Sequence, residues 1–327
     1  MSLARQRQIA IDAVIAASRV CQEVQASLVA GATLQKGDKS PVTVADFAAQ
    51  AIVSHMLVDA FPSIPLVGEE DAEALREGRH AALKDRVVAS VQAVLPALSE
   101  SDVLGAIDRG THAGGREGQH WTLDPIDGTK GFLRLDQYAV SLALIDRGEV
   151  VLGVLGCPNL PTGDDAADVG CVFIGVKGEG AFQRTLDDAT EVPIRVADTP
   201  TPADARFCES VESAHTSQSD SAVVAEKLGI TQPPFRIDSQ CKYAAVARGD
   251  ASIYLRLPTR PGYVEKIWDH AGGWAVITEA GGTVTDVRGA PLDFGLGRGL
   301  EANKGVIVTN GAFHAEVVAA VRAQLGL

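Results

Sequence analysis

Two aspartates three residues apart, Asp124 and Asp127, form the pair in this chain best suited to chemistry. They lie in Trp-Thr-Leu-Asp-Pro-Ile-Asp-Gly-Thr-Lys-Gly-Phe at residues 121–132, which predicts a turn between an apolar strand and a glycine-rich segment. Pro125 fixes its own φ, so both carboxylates can point into one space. Gly128 permits close approach of backbone to a ligand. Oxygen ligands with no His or Cys between them suit Mg²⁺ or Mn²⁺ and argue against zinc.

The spacing of this pair is also compatible with simpler roles. An isolated Asp-x-x-Asp-Gly is often a simple turn. A calcium loop of the EF-hand type requires acids at alternate positions and a glutamate at the twelfth, a pattern that Pro125 and the three-residue spacing break. An aspartyl-phosphate nucleophile is conceivable, but the residues around Asp124 match no phosphorylated-aspartate motif. A purely structural turn therefore stays open for the pair taken alone.

Three further acids lie in marked contexts. Glu69 follows a short apolar run that ends at a glycine, and α/β sheets commonly place ligands at such strand ends. Asp269 lies at or near the N-terminus of the predicted helix 271–280. Asp46 lies three residues after Thr43, a candidate N-cap, so helix capping and the helix dipole also account for this acid. Singly, each acid fits a structural role.

Together these motifs resemble the lithium-sensitive, magnesium-dependent phosphatases related to inositol monophosphatase. The metal motifs of that superfamily are Gly-Glu-Glu, Asp-Pro-Ile-Asp-Gly-Thr and Trp-Asp, and all three occur here in that order. Within the superfamily, the chain resembles the eukaryotic 3'(2'),5'-bisphosphate nucleotidases over almost its whole length. Residues 38–46, 137–144, 239–243 and 265–270 carry this finer resemblance.

The resemblance implies a metal centre and a reaction. The implied metal ligands are Glu69, Asp124, the carbonyl of Ile126, Asp127 and Asp269. They would hold two or three Mg²⁺ ions, with Mn²⁺ as a substitute and Li⁺ as an inhibitor. Asp46 and Thr129 would orient and deprotonate the attacking water. The implied reaction removes the 3'-phosphate of adenosine 3',5'-bisphosphate, giving AMP and phosphate, and extends to 3'-phosphoadenosine 5'-phosphosulfate.

The same resemblance implies a nucleotide site in the second half of the chain. Besides Thr129, the substrate-binding residues would be His215, Ser239, Lys242 and Arg256. Lys242 and Arg256 are donors for phosphate oxygens, and His215 can stack on a purine. His215 also fits a solvated loop, and Lys242 on a helix could face water. Arg256 interrupts an apolar strand, which argues for a function.

Hydrophobic periodicity predicts the elements around these residues. Apolar residues at helical spacing over 10–24 predict a first amphipathic helix, and a second follows Thr43. Residues 139–155 and 171–182 predict two antiparallel hairpins. Short strands near 205–209 and 305–309 alternate with helices. The first half is therefore α+β in style, and the second is a covered α/β layer.

The predicted division places an α+β domain with most metal ligands at 1–160 and an α/β domain with the nucleotide residues at 161–327. The polar stretch 160–168 is the candidate boundary. The resemblance implies the layered αβαβα sandwich of the sugar-phosphatase fold, with the site between the two halves.

Composition limits the class of protein. The 327 residues are 46% hydrophobic, and no apolar run approaches the ~20 residues that span a bilayer. A formal net charge of -13 opposes a nucleic-acid polymer as partner, whereas local cations allow one small phosphorylated nucleotide. The five cysteines are odd in number and lack Cys-x-x-Cys spacing, which predicts neither a disulfide framework nor a zinc site. We expect a cytoplasmic protein, or an organellar one if a transit peptide has been removed. We favour a monomer.

Two other functions stay open from the sequence. The first keeps the chemistry but changes the substrate to an inositol monophosphate or polyphosphate. The second is a nucleotide sensor that kept the fold without catalysis. The complete acid set and Thr129 argue against a sensor, which could lose either without penalty.

Overall fold

The computed structural model describes residues 3–27, 33–35, 41–163, 168–211, 218–260 and 262–327. Within these residues the helices are α1 (Ala4–Ala26), α2 (Val44–Ala60), α3 (Ala81–Val94), α4 (Glu100–Asp108), α5 (Thr129–Leu133), α6 (Gln218–Lys227), α7 (Cys241–Arg248), α8 (Ala271–Glu279) and α9 (His314–Leu325). Short 3₁₀ turns lie at Ala74–Arg76, Gly78–His80 and Pro202–Asp204.

The strands of the described residues fall into three sheets. The small hairpin pairs β1 (Thr33–Gln35) with β2 (Pro41–Thr43). The large sheet contains β3 (Leu66–Gly68), β4 (Gln119–Asp127), β5 (Ala139–Asp146), β6 (Glu149–Pro161), β7 (Val169–Val176), β8 (Gly180–Thr185) and β9 (Val192–Ile194) in that spatial order. The second sheet has the order β11-β10-β12-β14-β13, with β10 (Phe207–Glu209), β11 (Phe235–Arg236), β12 (Ile253–Arg256), β13 (Thr283–Thr285) and β14 (Val306–Thr309).

Helices and sheets alternate in five layers. Helices α1 and α2 pack on one face of the large sheet, and α8 packs on the other. Helices α7 and α8 also contact the second sheet, whose far face carries α9, itself packed on α6. Three apolar cores fill the spaces between these layers, and they include Trp121, Tyr243 and Phe313 respectively. This is the predicted αβαβα sandwich, so the predicted fold is confirmed.

The predicted hairpins and helices form as the local patterns indicate. The β5–β6 hairpin turns at Arg147 and Gly148, both with positive φ (53° and 85°), as a tight two-residue turn requires. The β7–β8 hairpin and the helices after Thr43 and after Asp269 also form. All five cysteines are buried and free.

The position predicted for the turn at the aspartate pair is wrong. Strand β4 continues through both residues, with Asp124 opposite Ser141 and Asp127 opposite Ala139 on β5. Three steps along β4 therefore match two steps along β5, which is a β-bulge. In a regular strand, residues three apart point to opposite faces. The extra residue of the bulge cancels this alternation, and the turn follows only at Gly128.

The predicted domain division at 160/161 stays a prediction. Strand β6 ends at Pro161 and β7 begins at Val169, and both belong to the large sheet. Residues 164–167 of the candidate boundary lie outside the described residues. Among the helices that the structure describes, we find none long and apolar enough to cross a membrane.

Candidate active site

A cluster of carboxylates surrounds Asp124, which is buried on β4. Burial raises the pKa of Asp124 well above its ordinary value, and the charges of neighbouring acids raise it further. These neighbours are Glu69, Asp127, Asp269 and Asp46. They arrive from the end of β3, the bulge of β4, the segment before α8 and the first turn of α2. The structure thus brings together all the acids singled out in the sequence.

Asp127 has the second large shift in the cluster. Burial and the nearby charge of Asp269 raise the pKa of Asp127 to about 7. The positive charges of Lys242 and Arg256 oppose this rise, as does the backbone N–H of Gln240, which donates to Asp127 Oδ2 at 2.5 Å. Acids and cations predicted for two different tasks therefore act on one another across one site.

The end of β3 is built to present Glu69. The backbone N–H of Glu69 donates to the carbonyl of Leu123 at 3.2 Å, which links it to the residue before Asp124. The next residue is held by the Gln50 amide, which accepts from Glu70 N at 3.0 Å and donates to Glu70 O at 2.6 Å. A Cβ at Gly68 would lie 2.6 Å from Gln50 Oε1, so a larger residue here would have to displace this amide.

The turn after β4 brings in the second half of the chain. Gly128 has φ 88°, and a Cβ there would lie 2.9 Å from Ser239 Cβ. Ser239 itself has φ 65°, and its hydroxyl accepts from Cys241 N at 3.2 Å at the start of α7. Thr129 directs its hydroxyl to the carbonyl of Ile126 at 3.2 Å. The predicted water-handling hydroxyl and the predicted carbonyl ligand are therefore in contact.

Lys242 does not face water. Its side chain is buried, with Nζ 5.2 Å from the ring centroid of Tyr254. Burial lowers the pKa of Lys242, while the charge of Asp127 acts in the opposite direction. The interpretation of Lys242 as a solvated helix residue is wrong, because α7 lies between the two sheets and is buried along almost its whole length.

Arg256 lies at the end of β12 against two acids. Its Nη2 is 3.1 Å from Asp269 Oδ2 and 2.8 Å from Glu265 Oε2. Burial alone would raise the pKa of Glu265, but Arg256 and His270 bring it down to about 2. His270 Nε2 is 3.2 Å from the same Glu265 oxygen, and its Nδ1 is 2.8 Å from Tyr243 Oη. Arg256 is thus already held where its positive charge meets the acid cluster.

Several residues of the site had no role assigned from the sequence. Gln240 supports it with both backbone and side chain, since its amide contacts Ser141 Oγ, the Trp268 carbonyl and Gly273 N at 3.0–3.1 Å. Glu265 and His270 lie in a stretch that contributed only to the resemblance. Nothing in the local sequence marks Gln240 as a partner of a residue over a hundred positions away. His215 lies outside the described residues.

The donor set fits divalent cations that prefer oxygen. Asp124 Oδ1 is buried and has no hydrogen-bond partner among the described residues. An unpaired buried carboxylate oxygen is costly unless a cation or donor satisfies it. Asp124 and Asp127 both have raised pKa values, so the cluster is short of positive charge. Carboxylates and one backbone carbonyl are the ligands that Mg²⁺ accepts.

Residues 3–325 match the sequence model of the inositol monophosphatase family. The chain belongs to this family, which confirms the resemblance found in its motifs. It is 46% identical to the 3'(2'),5'-bisphosphate nucleotidase of Schizosaccharomyces pombe, over 99% of this chain and 96% of that protein. It is 44% identical to the protein of the same name from Emericella nidulans, over 100% of both.

Solved structures support the fold alone. The inositol monophosphatase of Anabaena (Nostoc) sp. PCC 7120 matches with a TM-score of 0.64 at 21% identity, over 98% of this chain and 96% of that one. The suhB protein of Bartonella henselae matches with a TM-score of 0.67 at 21% identity, over 96% and 97% of the two chains.

Proposed function

We propose that the chain is a Mg²⁺-dependent 3'(2'),5'-bisphosphate nucleotidase. It removes the 3'-phosphate of adenosine 3',5'-bisphosphate, giving AMP and phosphate, and acts on 3'-phosphoadenosine 5'-phosphosulfate at the same position. The observation that carries the proposal is the meeting of the acid cluster around Asp124 with the buried Lys242 and the half-buried Arg256. The relatives' shared name supports the same substrate.

The proposed metal ligands are Glu69, Asp124, the Ile126 carbonyl, Asp127 and Asp269. When bound there, Mg²⁺ would neutralise the phosphate, activate water and stabilise the leaving oxygen. Two or three ions are proposed, with Mn²⁺ as a substitute and Li⁺ as an inhibitor. The unpaired Asp124 Oδ1 and the raised pKa of Asp127 are the features of this chain that favour cation binding.

Asp46 and Thr129 are proposed to prepare the attacking water. The Thr129 hydroxyl now donates to Ile126 O, and it would rotate to donate to Asp46 while accepting a hydrogen bond from the water. Asp46, buried in the first turn of α2, then receives the proton. Phosphoryl transfer depends mainly on positioning and charge, which rigid elements such as β4 and α2 supply.

The cations at α7 and β12 select the nucleotide. Lys242 and Arg256 are proposed to bind the 5'-phosphate with charge-assisted hydrogen bonds, which are stronger than neutral ones. Ser239 would contact the sugar and His215 the base. These cations reverse the field locally in a chain of net charge -13, so a small anionic nucleotide can enter.

The test compares phosphate release from adenosine 3',5'-bisphosphate and from inositol 1-phosphate. Each is measured with Mg²⁺, with EDTA, and with Mg²⁺ plus millimolar Li⁺. We expect fast, EDTA-sensitive and Li⁺-inhibited release from the nucleotide only. Preference for the inositol phosphate would retain the metal site and overturn the nucleotide site, whereas no release from either would favour the nucleotide sensor.

A further inference from the structure

We propose that Arg298 is a positioning residue of the metal centre, which joins the segment carrying Glu69 to the segment carrying Asp269. The inference rests on the proposed metal site and adds a residue that is not itself one of the proposed ligands. Arg298 lies in the loop before β14, remote in sequence from the Glu69 segment and beyond α8 from the Asp269 segment.

The edge of the Arg298 guanidinium binds the segment that carries Glu69. Arg298 Nη2 donates to the carbonyl of Gly68 at 2.6 Å, and Nη1 donates to the carbonyls of Gly110 and His112 at 2.9 and 3.0 Å. The Gly68 carbonyl belongs to the peptide group that leads into Glu69. The N–H of this same peptide group donates to Leu123 O. Arg298 and β4 therefore hold the peptide before Glu69 from opposite sides.

The face of the same guanidinium contacts the segment that carries Asp269. Its central carbon lies 4.8 Å from the ring centroid of Trp268, the residue before Asp269. The backbone continues this contact, because Ile267 N donates to Arg298 O at 3.2 Å and Leu300 N donates to Glu265 O at 2.8 Å. One residue thus fixes the approach of two acids that come from different parts of the fold.

Charge adds to this geometry. Burial lowers the pKa of Arg298, and the negative charges of Asp71 and Glu69 oppose that effect, so the guanidinium lies within the field of the Glu69 carboxylate. A guanidinium stays charged in proteins and offers five donors in a fixed plane. Lysine would keep the charge, but it could neither bind three carbonyls in this fork nor stack on Trp268.

The test measures Mg²⁺ affinity in the whole chain without substrate. Metal-free wild type, Arg298→Lys and Arg298→Gln are titrated with MgCl₂ by calorimetry, and thermal unfolding is recorded with and without Mg²⁺. Because residues that orient metal ligands typically contribute about 10- to 100-fold to metal affinity, we expect both variants to bind about tenfold more weakly or worse.

The matched control is Arg116→Lys. Arg116 precedes β4 and pairs at 2.5 Å with Asp293, which lies on the same loop as Arg298. No described hydrogen bond or ion pair joins Arg116 to a proposed ligand segment. Its Mg²⁺ affinity should equal that of wild type. This control separates loosening of the loop from loss of the Arg298 contacts.

The outcomes decide between positioning, charge and folding. Weaker Mg²⁺ binding in both Arg298 variants supports positioning. Retained affinity in Arg298→Lys, with loss only in Arg298→Gln, would overturn positioning in favour of charge. Lower melting temperature with unchanged Mg²⁺ affinity would reduce Arg298 to a folding role. If Arg298→Gln does not fold, Arg298→Lys alone decides, because it changes geometry at constant charge.

A failure of the proposed function gives a different result. If wild type binds Mg²⁺ but releases no phosphate from nucleotide, the proposed substrate fails and the Arg298 inference stands on its affinity data. If wild type binds no Mg²⁺, both the metal site and the inference are overturned.

Discussion

Asp127→Asn should stabilise the metal-free protein at alkaline pH while abolishing catalysis. The pKa of Asp127 is about 7 in the folded chain, against an ordinary value of 3.8. The folded state therefore holds this proton more tightly than the unfolded state does. The resulting penalty is absent below pH 3.8, grows as pH rises towards 7 and is complete above it. Asparagine is uncharged, but it keeps a side-chain oxygen that can accept the hydrogen bond from Gln240 N.

The size of this stabilisation follows from the pKa shift of Asp127. About three pKa units at 1.36 kcal/mol each give roughly 4 kcal/mol as an upper limit at pH 8, reduced by solvent because the side chain is only partly buried. At pH 5 the same calculation gives less than half of this upper limit. We expect urea unfolding in EDTA to show a gain of about 1–4 kcal/mol for Asp127→Asn at pH 8 and a smaller gain at pH 5.

In the presence of Mg²⁺, wild type should become more stable than Asp127→Asn. A cation that binds only the folded state stabilises wild type by mass action, and Asp127→Asn should lose most of that gain together with hydrolysis. Asp59→Asn, an exposed acid on α2, is the control and should behave as wild type. Two results would contradict this prediction: a lower stability of Asp127→Asn than of wild type in EDTA at pH 8, or equal stabilisation of both proteins by Mg²⁺.

Three further predictions concern other parts of the site and the core. Burial lowers the pKa of His120 from 6.5 to about 4, so the folded state loses stability as pH falls through this range and the buried imidazole must take up a proton. Between pH 7 and pH 5, the free energy of unfolding in urea should fall by roughly 2 kcal/mol less for His120→Phe than for wild type. An equal fall in both proteins would contradict the pKa shift. Lys242→Ala should raise KM for adenosine 3',5'-bisphosphate about 10- to 100-fold, because a charged hydrogen bond contributes about 1.5–3 kcal/mol. KM for adenosine 3'-monophosphate, which lacks the 5'-phosphate, should change much less; equal effects on both substrates would refute the contact with the 5'-phosphate. Gly128→Ala should lower the free energy of unfolding, measured by heat or urea, by about 1–3 kcal/mol more than Gly178→Ala does. Both glycines have positive φ (88° and 79°), but only a Cβ at Gly128 would meet Ser239, so equal losses in the two variants would contradict that clash.

The family motifs, the acid set and most helices and strands can be predicted from the amino-acid sequence alone. Each metal motif is a short contiguous segment, and each hairpin and helix follows from a local pattern of apolar residues, glycines and turn residues. The αβαβα architecture came from the resemblance, because periodicity describes single elements and not how layers stack. The bulge at Asp124 and Asp127 was missed, since the register of β4 depends on its pairing with β5.

The residues of the second half that act on these acids are identified by their contacts in the folded chain. Gln240 N meets Asp127, Arg256 meets Asp269, and Arg298 holds the peptide before Glu69, the first and third across more than a hundred residues. Lys242 is buried because α7 lies between two sheets, a position that its own sequence does not reveal. Such contacts depend on which layers pack together and in what orientation, so they arise from the whole folded chain and not from any local segment.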